Sequence, residues 1–117
     1  MIDPQTGYAQ GRHTDGTFLK EQNAFQFAKF ITEGAPCHYT WYVPHDPYGL
    51  MEYMGGKEKF ALKLDSMFSE HRYWHGNEPC HQVAFMFNYA GEPWKTQQAI
   101  RHIMETEYFE CSRRTFR

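Results

Sequence analysis

Apolar residues recur along most of the chain at the three- and four-residue spacing of amphipathic helices. The segment from Lys57 to Ser69 shows this most clearly, because charged residues separate the members of its apolar stripe. That stripe consists of Phe60, Leu64, Met67 and Phe68. A second stripe follows Glu92-Pro93 and predicts the last helix, with its inner face at Thr96, Ala99, Ile100, Ile103 and Met104.

An earlier stripe predicts a first helix from about Thr17 to residue 31. Its apolar positions fall at i, i+3, i+4 and i+7, namely Ala24, Phe27, Ala28 and Ile31. The residues before Thr17 are rich in glycine and turn formers, so the sequence predicts irregular structure there.

Prolines and glycines set the bounds of two further helices. Pro36 is suited to the start of a short helix, which must end before Pro44 because the residue preceding a proline disfavours helical geometry. Asp46 and Pro47 predict the start of another helix, with Asp46 as the capping carboxylate. Gly55-Gly56 predicts its end.

Residues 74–82 crowd several polar groups against the start of one more helix. Asn77 is a good N-cap, because its side chain can accept from free N–H groups of the first turn, and Pro79 is tolerated in that turn. The predicted inner face is Val83, Ala84, Phe87 and Ala90. With Gly91 as its end and no strand pattern elsewhere, the sequence predicts one all-α unit of successive helical hairpins over residues 1–117.

Composition and charge exclude several classes of function. The chain has 117 residues, enough for one small domain, and its formal charge is 12 − 14 = −2. A nucleic-acid surface would usually be basic, and the apolar runs are too short to span a bilayer. The first residues show no features of a signal peptide. Aromatic residues make up 18%, which suits a packed core and also a sugar site.

The cysteines and histidines do not form a recurrent metal or disulfide pattern. Cys37, Cys80 and Cys111 are an odd number of widely spaced thiols, so we expect them to be free and mostly buried. Four possible zinc ligands lie near one another, namely His71, His75, Cys80 and His81. Their spacing matches no common zinc site.

Two groups of residues upstream are compatible with carbohydrate chemistry. Glu33 lies in a helix break beside Gly34, where a carboxyl group can be held yet reachable as a general acid; the alternative is a solvated glutamate at a helix end. Trp41 could form a sugar platform, with His45 and Asp46 binding hydroxyls. The alternative is a core tryptophan and a helix-capping aspartate.

Asn77 and Glu78 could bind a hard cation such as calcium through their oxygens. Calcium needs roughly six to eight oxygen ligands, so the others would have to come from elsewhere. The alternative is an ordinary capped helix start with solvated polar residues.

Several long motifs together resemble glycoside hydrolase family 92. The first is His75-Gly76-Asn77-Glu78-Pro79-Cys80-His81-Gln82, and the second is Phe87-Asn88-Tyr89-Ala90-Gly91-Glu92-Pro93-Trp94-Lys95-Thr96-Gln97. Upstream, Thr32-Glu33-Gly34 and Tyr39-Thr40-Trp41-Tyr42-Val43-Pro44-His45-Asp46 resemble the segment of that family that carries the general acid. The resemblance extends in order over nearly the whole chain.

The resemblance implies a calcium-dependent, inverting exo-α-mannosidase acting on mannose-containing glycans. It also implies an (α/α)6 barrel catalytic domain preceded by a β-sandwich domain, in an enzyme commonly exported from a bacterial cell. This chain is then expected to be a partial (α/α)6 barrel, completed by the other barrel segments and the β-sandwich domain.

Residue by residue, the resemblance assigns Glu33 as the general acid and His75 to the neighbourhood of the leaving sugar. Asn77 and Glu78 match the segment that lines the calcium and sugar pocket. Trp41, His45 and Asp46 match positions at the side of that pocket. Glu33, His75 and Glu78 are therefore expected to converge on one side of the fold.

Two departures from the family pattern limit what we expect of this chain. From the acid onward the sequence reads Glu33-Gly34-Ala35-Pro36-Cys37-His38-Tyr39, where the family often has Glu-Gly-Asn and then Trp-Gln-Tyr. The Gly-Asn-Asp-type motif with the general-base aspartates does not occur before Arg117. We therefore expect an internal slice of the barrel that has little activity alone and partly exposes Phe25, Phe30, Phe85 and Trp94. A non-catalytic helical module, carbohydrate-binding or structural, is the alternative.

Overall fold

Helices make up the regular structure of this chain, which is described here by a computed structural model for residues 2–20 and 22–108. In chain order they are α1 (Pro36–Tyr39), α2 (Pro47–Tyr53), α3 (Lys57–Ser69), α4 (Glu78–His81), a 3₁₀ helix (Gln82–Phe85), α5 (Phe87–Ala90) and α6 (Pro93–Glu107). The described residues form no strand, and only two isolated bridges pair Ile2 with Ala9 and Arg12 with Phe18. The predicted all-α class is confirmed.

Three predicted helices lie where the sequence placed them. Helix α3 has the predicted bounds, and α6 starts at Pro93 as expected. Helix α2 starts after Asp46, whose side chain accepts a hydrogen bond from the Gly49 N–H at 2.8 Å. The predicted inner face of α6 is correct at Thr96, Ala99 and Ile103, whereas Met104 is exposed.

The predicted first helix, from Thr17 to residue 31, is wrong. The described residues of this range form turns and bends instead. The Gln22 side chain accepts from the Gly11 N–H at 2.9 Å and donates to the Ala9 carbonyl at 3.1 Å, and the Asn23 side chain accepts from the Phe25 N–H at 2.9 Å. These bonds tie the segment to residues 9–11 and to local turns, which compete with a helical ladder.

The helix predicted from Asn77 to Ala90 is divided into α4, the 3₁₀ helix and α5. Its backbone stays right-handed throughout, but the Met86 N–H bonds to Val83 and the Tyr89 N–H bonds to Met86, both at 3.1 Å. Buried residues follow two rows with a spacing of three, namely Cys80, Val83, Met86 and Ala84, Phe87, Ala90. A period of three is that of a 3₁₀ helix, so this burial pattern favours the tighter winding.

The core lies where α3 and α5 meet, with α2 on one side and α6 on the other. Trp41 and Phe60 are fully buried, and their rings meet edge to face at 5.3 Å between centroids. Leu64 and Met67 of α3 and Phe87 of α5 are also buried. Helix α1 packs on α4, which brings the segment around Glu33 toward residues 77–81.

Large aromatic side chains also remain on the surface. Phe25, Phe30, Phe85 and Trp94 are 45%, 51%, 49% and 54% exposed, which confirms the predicted exposure. None of the described helices is long and apolar enough to cross a membrane.

Two of the cysteines are free and buried, as predicted, and Cys111 lies outside the described residues. Burial raises the pKa of the Cys37 thiol and raises the pKa of Cys80 to about 11. Both thiols therefore stay protonated and unreactive near neutral pH.

His38 ties the loop before α1 to the loop after α3. Its Nδ1 accepts from the Ala35 N–H at 3.0 Å, so its Nε2 carries the proton and donates to the Arg72 carbonyl at 3.0 Å. Burial lowers the pKa of His38, because a charged imidazole would be poorly solvated there. A proton on Nδ1 would also break the bond to Ala35.

Gly49→Ala should not give the stabilisation usual for this substitution inside a helix, which is roughly 0.5–1 kcal/mol. A Cβ atom at Gly49 would lie 2.1 Å from Asp46 Oδ2. The capping carboxylate would have to move, and loss of a cap costs about 1 kcal/mol. We expect no change or a decrease in the free energy of unfolding, measured by urea denaturation.

The matched control is the same substitution in an Asp46→Ala background, where no carboxylate opposes the new methyl group. There Gly49→Ala should stabilise the fold by roughly 0.5–1 kcal/mol. The same change in both backgrounds would show that the contact with Asp46 does not matter.

Acidification should weaken the fold through His38. Its pKa in the fold lies below the ordinary value of 6.5, so the unfolded chain binds more protons than the fold below that pH. The contribution of His38 to stability is complete above the ordinary pKa and is lost as the pH falls toward the lowered pKa. Urea unfolding at about pH 8 and about pH 5 measures this loss.

A His38→Asn variant removes the titration but keeps an acceptor near the Ala35 N–H, so its stability should depend less on pH. Substitution of the exposed His13 by Asn should leave the pH dependence as in the original chain. An equal pH dependence in all three proteins would exclude His38 as its source.

Candidate functional site

Glu33 lies in the loop before α1 with a left-handed backbone, at a φ of 53°. For a residue with a Cβ atom this conformation costs on the order of 1–2 kcal/mol, so its surroundings must hold it in place. Gly34 follows at a φ of 154° and is buried. The Glu33 side chain itself is exposed, so its carboxyl group can reach a ligand.

Asn77 reaches across to this loop from the start of α4. Its side chain is only 3% exposed, and its Nδ2 donates to the Glu33 carbonyl oxygen and, at 3.1 Å, to the Tyr39 hydroxyl. Asn77 has the extended backbone of an N-cap residue, but its side chain makes no capping bond to α4. The predicted capping role of its side chain is therefore wrong, because the amide is oriented with its N–H groups on the Glu33 carbonyl and the Tyr39 hydroxyl, and its oxygen accepts from no N–H group of the first turn.

His75 is held between two phenols. The Tyr73 hydroxyl lies 2.7 Å from its Nδ1 and the Tyr108 hydroxyl 2.6 Å from its Nε2. Its ring stacks on His81 at 4.3 Å between centroids, and His81 Nε2 donates to the His75 carbonyl at 3.0 Å. Burial, and then the neighbouring His81, lower the pKa of His75. The imidazole is therefore neutral at pH 7.

The Glu33 loop and residues 75–78 are thus brought together through Asn77. Glu78 is the first residue of α4 and is exposed. Within the described residues, no hydrogen bond joins the Glu33 carboxylate to His75 or Glu78. The contact between the two segments runs from the Asn77 side chain to the main chain of Glu33, and the carboxyl groups of Glu33 and Glu78 accept no hydrogen bond from the described residues.

Trp41 has a different environment from the one a sugar platform needs. Its side chain is 0% exposed and packs on Phe60, so its ring faces are not open to a ligand. Its indole N–H has no partner among the described residues, and its carbonyl accepts from the Gln82 side chain at 3.1 Å. This burial contradicts a platform role within the described structure and favours the core alternative.

His45 and Asp46 lie between α1 and α2, and both are exposed. The Asp46 carboxylate is engaged as the cap of α2. Among the described residues neither side chain hydrogen-bonds to Glu33, His75 or Asn77. The helix-capping alternative for Asp46 is therefore realised, and a contact with sugar hydroxyls remains a prediction.

The described residues do not form a calcium site by themselves. They contain no group of three or more His, Cys, Asp or Glu side chains that could hold a metal ion. Asn77 Oδ1 and the Glu78 carboxylate are too few for an ion that takes roughly six to eight oxygens. Zinc is not favoured either, because both ring nitrogens of His75 face phenol oxygens.

Sequence reasoning missed four residues that shape this site, namely His38, Tyr39, Tyr73 and Tyr108. Tyr39 donates to the Thr32 carbonyl at 2.5 Å, a contact that no helical or strand period predicts. Tyr108 meets His75 from 33 residues away, at the end of α6. Only the relative placement of helices could have revealed it.

Comparison with known proteins gives consistent matches. The family model described as the glycosyl hydrolase family 92 catalytic domain matches residues 1–113. An α-mannosidase structure of family GH92 from Bacteroides thetaiotaomicron is 44% identical with a TM-score of 0.79, over 89% of this chain and 15% of that one. An inverting GH92 mannosidase from the same organism is 30% identical with a TM-score of 0.81, over 90% of this chain and 18% of that one.

A curated relative from Arthroderma benhamiae, an uncharacterized secreted glycosidase, is 38% identical over 53 residues, which are 45% of this chain and 7% of the relative. The chain thus spans less than a fifth of the length of these relatives. The family model covers nearly every residue, and its match includes both the Glu33 loop and the segment from His75 to Glu78. The chain belongs to glycosyl hydrolase family 92.

Proposed function

We propose that this chain is part of the catalytic domain of an exo-acting, inverting α-mannosidase that removes terminal α-mannosyl residues from glycans. The observation that carries the proposal is the exposed Glu33 carboxyl group on a loop fastened to the segment that holds Asn77 and Glu78. The family and the mannosidases of similar structure support it. In this proposal the helices of the described residues form part of an (α/α)6 barrel.

Glu33 acts in this proposal as the general acid. An inverting glycosidase protonates the leaving oxygen with one carboxyl group while a second carboxylate activates water on the opposite face of the sugar. The first role requires a carboxyl group that starts from a fixed backbone and points into accessible space, as Glu33 does. We assign the second role to a segment outside these 117 residues, so the chain alone should have little activity.

His75 is proposed to lie beside the leaving sugar. Its two tyrosine partners fix the orientation of the ring, and its lowered pKa keeps it neutral. A neutral imidazole adds no positive charge beside the acid, which would otherwise favour the ionised form of Glu33. His45 and Asp46 remain proposed contacts to sugar hydroxyls.

Calcium is proposed as an ion of the complete catalytic domain. Asn77 Oδ1 and Glu78 would supply two of its oxygen ligands, and the others would come from parts of the protein outside this chain. Asn77 Nδ2 donates to the Glu33 carbonyl and the Tyr39 hydroxyl, so Asn77 Oδ1 is not used in these two contacts. When bound, the ion would contact sugar hydroxyls.

The proposed partners are a mannose-containing glycan and the other barrel segments with a β-sandwich domain, with no nucleic acid and no membrane. The name of the curated relative is consistent with an exported protein. The exposed aromatic residues, such as Phe30 and Trp94, provide apolar surface that neighbouring segments could cover.

A second candidate is a helical module that binds carbohydrate or serves only a structural role. It is favoured by the observation that Trp41 and Asp46, two of the expected pocket residues, have structural roles in the core and at a helix start. The flanking coding sequence distinguishes the two candidates. A downstream Gly-Asn-Asp segment supports the enzyme, and a native stop codon after Arg117 supports the module.

Glu33→Gln, in a complete catalytic domain that carries this segment, should strongly reduce turnover of substrates with poor leaving groups. Positioned acid catalysis typically contributes about 10²–10⁴-fold, and an amide cannot donate the proton. An activated aryl mannoside needs little protonation and should lose much less. The measurement is kcat for both substrate classes, and equal losses on both would remove Glu33 from the role of acid.

Glu78→Gln should instead weaken calcium or sugar binding. Its loss of activity should be similar for both leaving-group classes, because proton donation by Glu33 is intact. Excess calcium should restore part of the activity when Glu78 is a ligand. A titration of activity against calcium in both proteins tests this assignment, and an unchanged calcium requirement in the variant would contradict it.

A further inference from the structure

The main chain next to Glu33 is held by two side chains that meet each other. The Tyr39 hydroxyl donates to the Thr32 carbonyl at 2.5 Å, and the Asn77 amide donates to the Glu33 carbonyl. The same amide donates to the Tyr39 hydroxyl at 3.1 Å. Two successive carbonyl groups are thus bound by one connected pair of side chains, which we call the Asn77–Tyr39 clamp.

The amide of Asn77 has no donor left over. A side-chain amide carries two N–H groups, and these two bonds use both of them. The side chain is 3% exposed, so water cannot replace either partner without opening the site. Since a carboxylate only accepts, aspartate at position 77 would face the Glu33 carbonyl oxygen with no hydrogen to share.

The ring of Tyr39 closes the other side of the loop. A Cβ atom at Gly34 would lie 2.9 Å from Tyr39 Cε2, so the ring packs directly on the Gly34 main chain. Gly34 has a φ of 154°, which is favoured by glycine, and it is buried. The position of this ring fixes where the Tyr39 hydroxyl meets Thr32 and Asn77.

The Glu33 side chain has no comparable support. Its carboxylate is exposed and accepts no hydrogen bond from the described residues, so the only restraint on its direction is the Cα–Cβ bond, which the backbone sets. That backbone is left-handed, a conformation that residues with a Cβ atom adopt rarely and at a cost in energy.

We propose that Asn77 and Tyr39 are positioning residues that hold Glu33 in its left-handed conformation and so direct its carboxyl group. The catalytic meaning of this direction rests on the proposed function of Glu33. The conformational role does not, because it can be measured in the isolated chain.

The test is a nuclear magnetic resonance measurement on the 117-residue chain labelled with ¹⁵N. A positive φ brings the amide proton of residue 33 close to its own Hα and produces a strong cross-relaxation peak between them. We expect this peak to be strong in the original chain and much weaker in Tyr39→Phe and in Asn77→Asp. Tyr39→Phe keeps the ring on Gly34 and removes only the hydroxyl, so it is the milder of the two changes.

Two matched controls isolate the clamp. Tyr42→Phe removes the hydroxyl of an exposed tyrosine near α1, and Asn88→Asp changes an exposed asparagine of α5. Both should leave the peak at residue 33 unchanged. A peak that stays strong in folded Tyr39→Phe and Asn77→Asp overturns the proposal.

A second measurement covers the case in which Asn77→Asp does not fold. Glycine adopts a positive φ without the strain of a Cβ atom, so Glu33→Gly should give a higher thermal midpoint than Glu33→Ala. We expect this order in the original background. A higher midpoint for Glu33→Ala than for Glu33→Gly, which is the order expected at a residue with a negative φ, would mean that the fold does not impose the left-handed conformation and would overturn the proposal.

Failure of this inference and failure of the proposed function give different results. If the clamp holds Glu33 but Glu33 is not the acid, the residue-33 peak and the thermal midpoints change as expected, while Glu33→Gln shows no contrast between leaving groups. If Glu33 is the acid but the clamp does not hold it, Glu33→Gln shows the contrast between leaving groups, while Tyr39→Phe leaves the residue-33 peak unchanged. When both hold, Tyr39→Phe in the complete domain should show the same leaving-group contrast as Glu33→Gln, with a smaller loss.

Discussion

A buried side-chain amide must find partners for both of its N–H groups, and the way Asn77 meets this requirement organises the candidate site. Its partners are the Glu33 carbonyl and the Tyr39 hydroxyl, 44 and 38 residues earlier in the chain. An unpaired buried donor costs about 1–3 kcal/mol, so loss of either hydrogen bond would destabilise the fold. The packing of α1 on α4 is therefore specified by polar geometry as well as by apolar contact.

Helix α4 can do without the side-chain cap that Asn77 would normally provide. Pro79 has no N–H group, which removes one of the free donors of the first turn. The Cys80 N–H is satisfied by the main-chain carbonyl of Asn77 at 2.9 Å. Since few donors remain at this helix start, the Asn77 side chain is available for a contact across the fold.

The sequence predicted the helices whose signals are local and missed the structure that depends on distant partners. The bounds of α3 and the start of α2 follow from an apolar stripe and from the Asp46-Pro47 pair. The segment around Gln22 has an equally good helical stripe, but the Gln22 side chain hydrogen-bonds to the main chain of residues 9–11. The pattern of one sequence does not predict a contact of that kind. Likewise, the partners of His75 could not be predicted, because Tyr108 approaches only once α6 has packed.

For the candidate site, the structure brings together two segments that the motifs singled out, while the chemical roles of their residues remain predictions. The Glu33 loop and residues 75–78 come together, but the reason is an amide-to-carbonyl contact and not a shared ligand. Trp41 shows why residue type alone does not identify a sugar site. A tryptophan looks the same in a sequence whether it lines a sugar site or fills a core. Its burial against Phe60 is decided by α3, about 20 residues away in the sequence.

The contrast between Asp46 and Asn77 shows what decides whether a polar residue before a helix serves the helix or the site. Both precede a helix that has proline in its first turn, and both were predicted as caps. Asp46 is exposed and finds the Gly49 N–H within its own first turn, so its contact stays local. Asn77 is buried against α1, where a carbonyl of a left-handed residue lacks a helical donor. A carboxylate could not supply that donor, whereas an amide can. The residue type at position 77 is therefore explained by the needs of the Glu33 loop, and its place before α4 only brings it within reach.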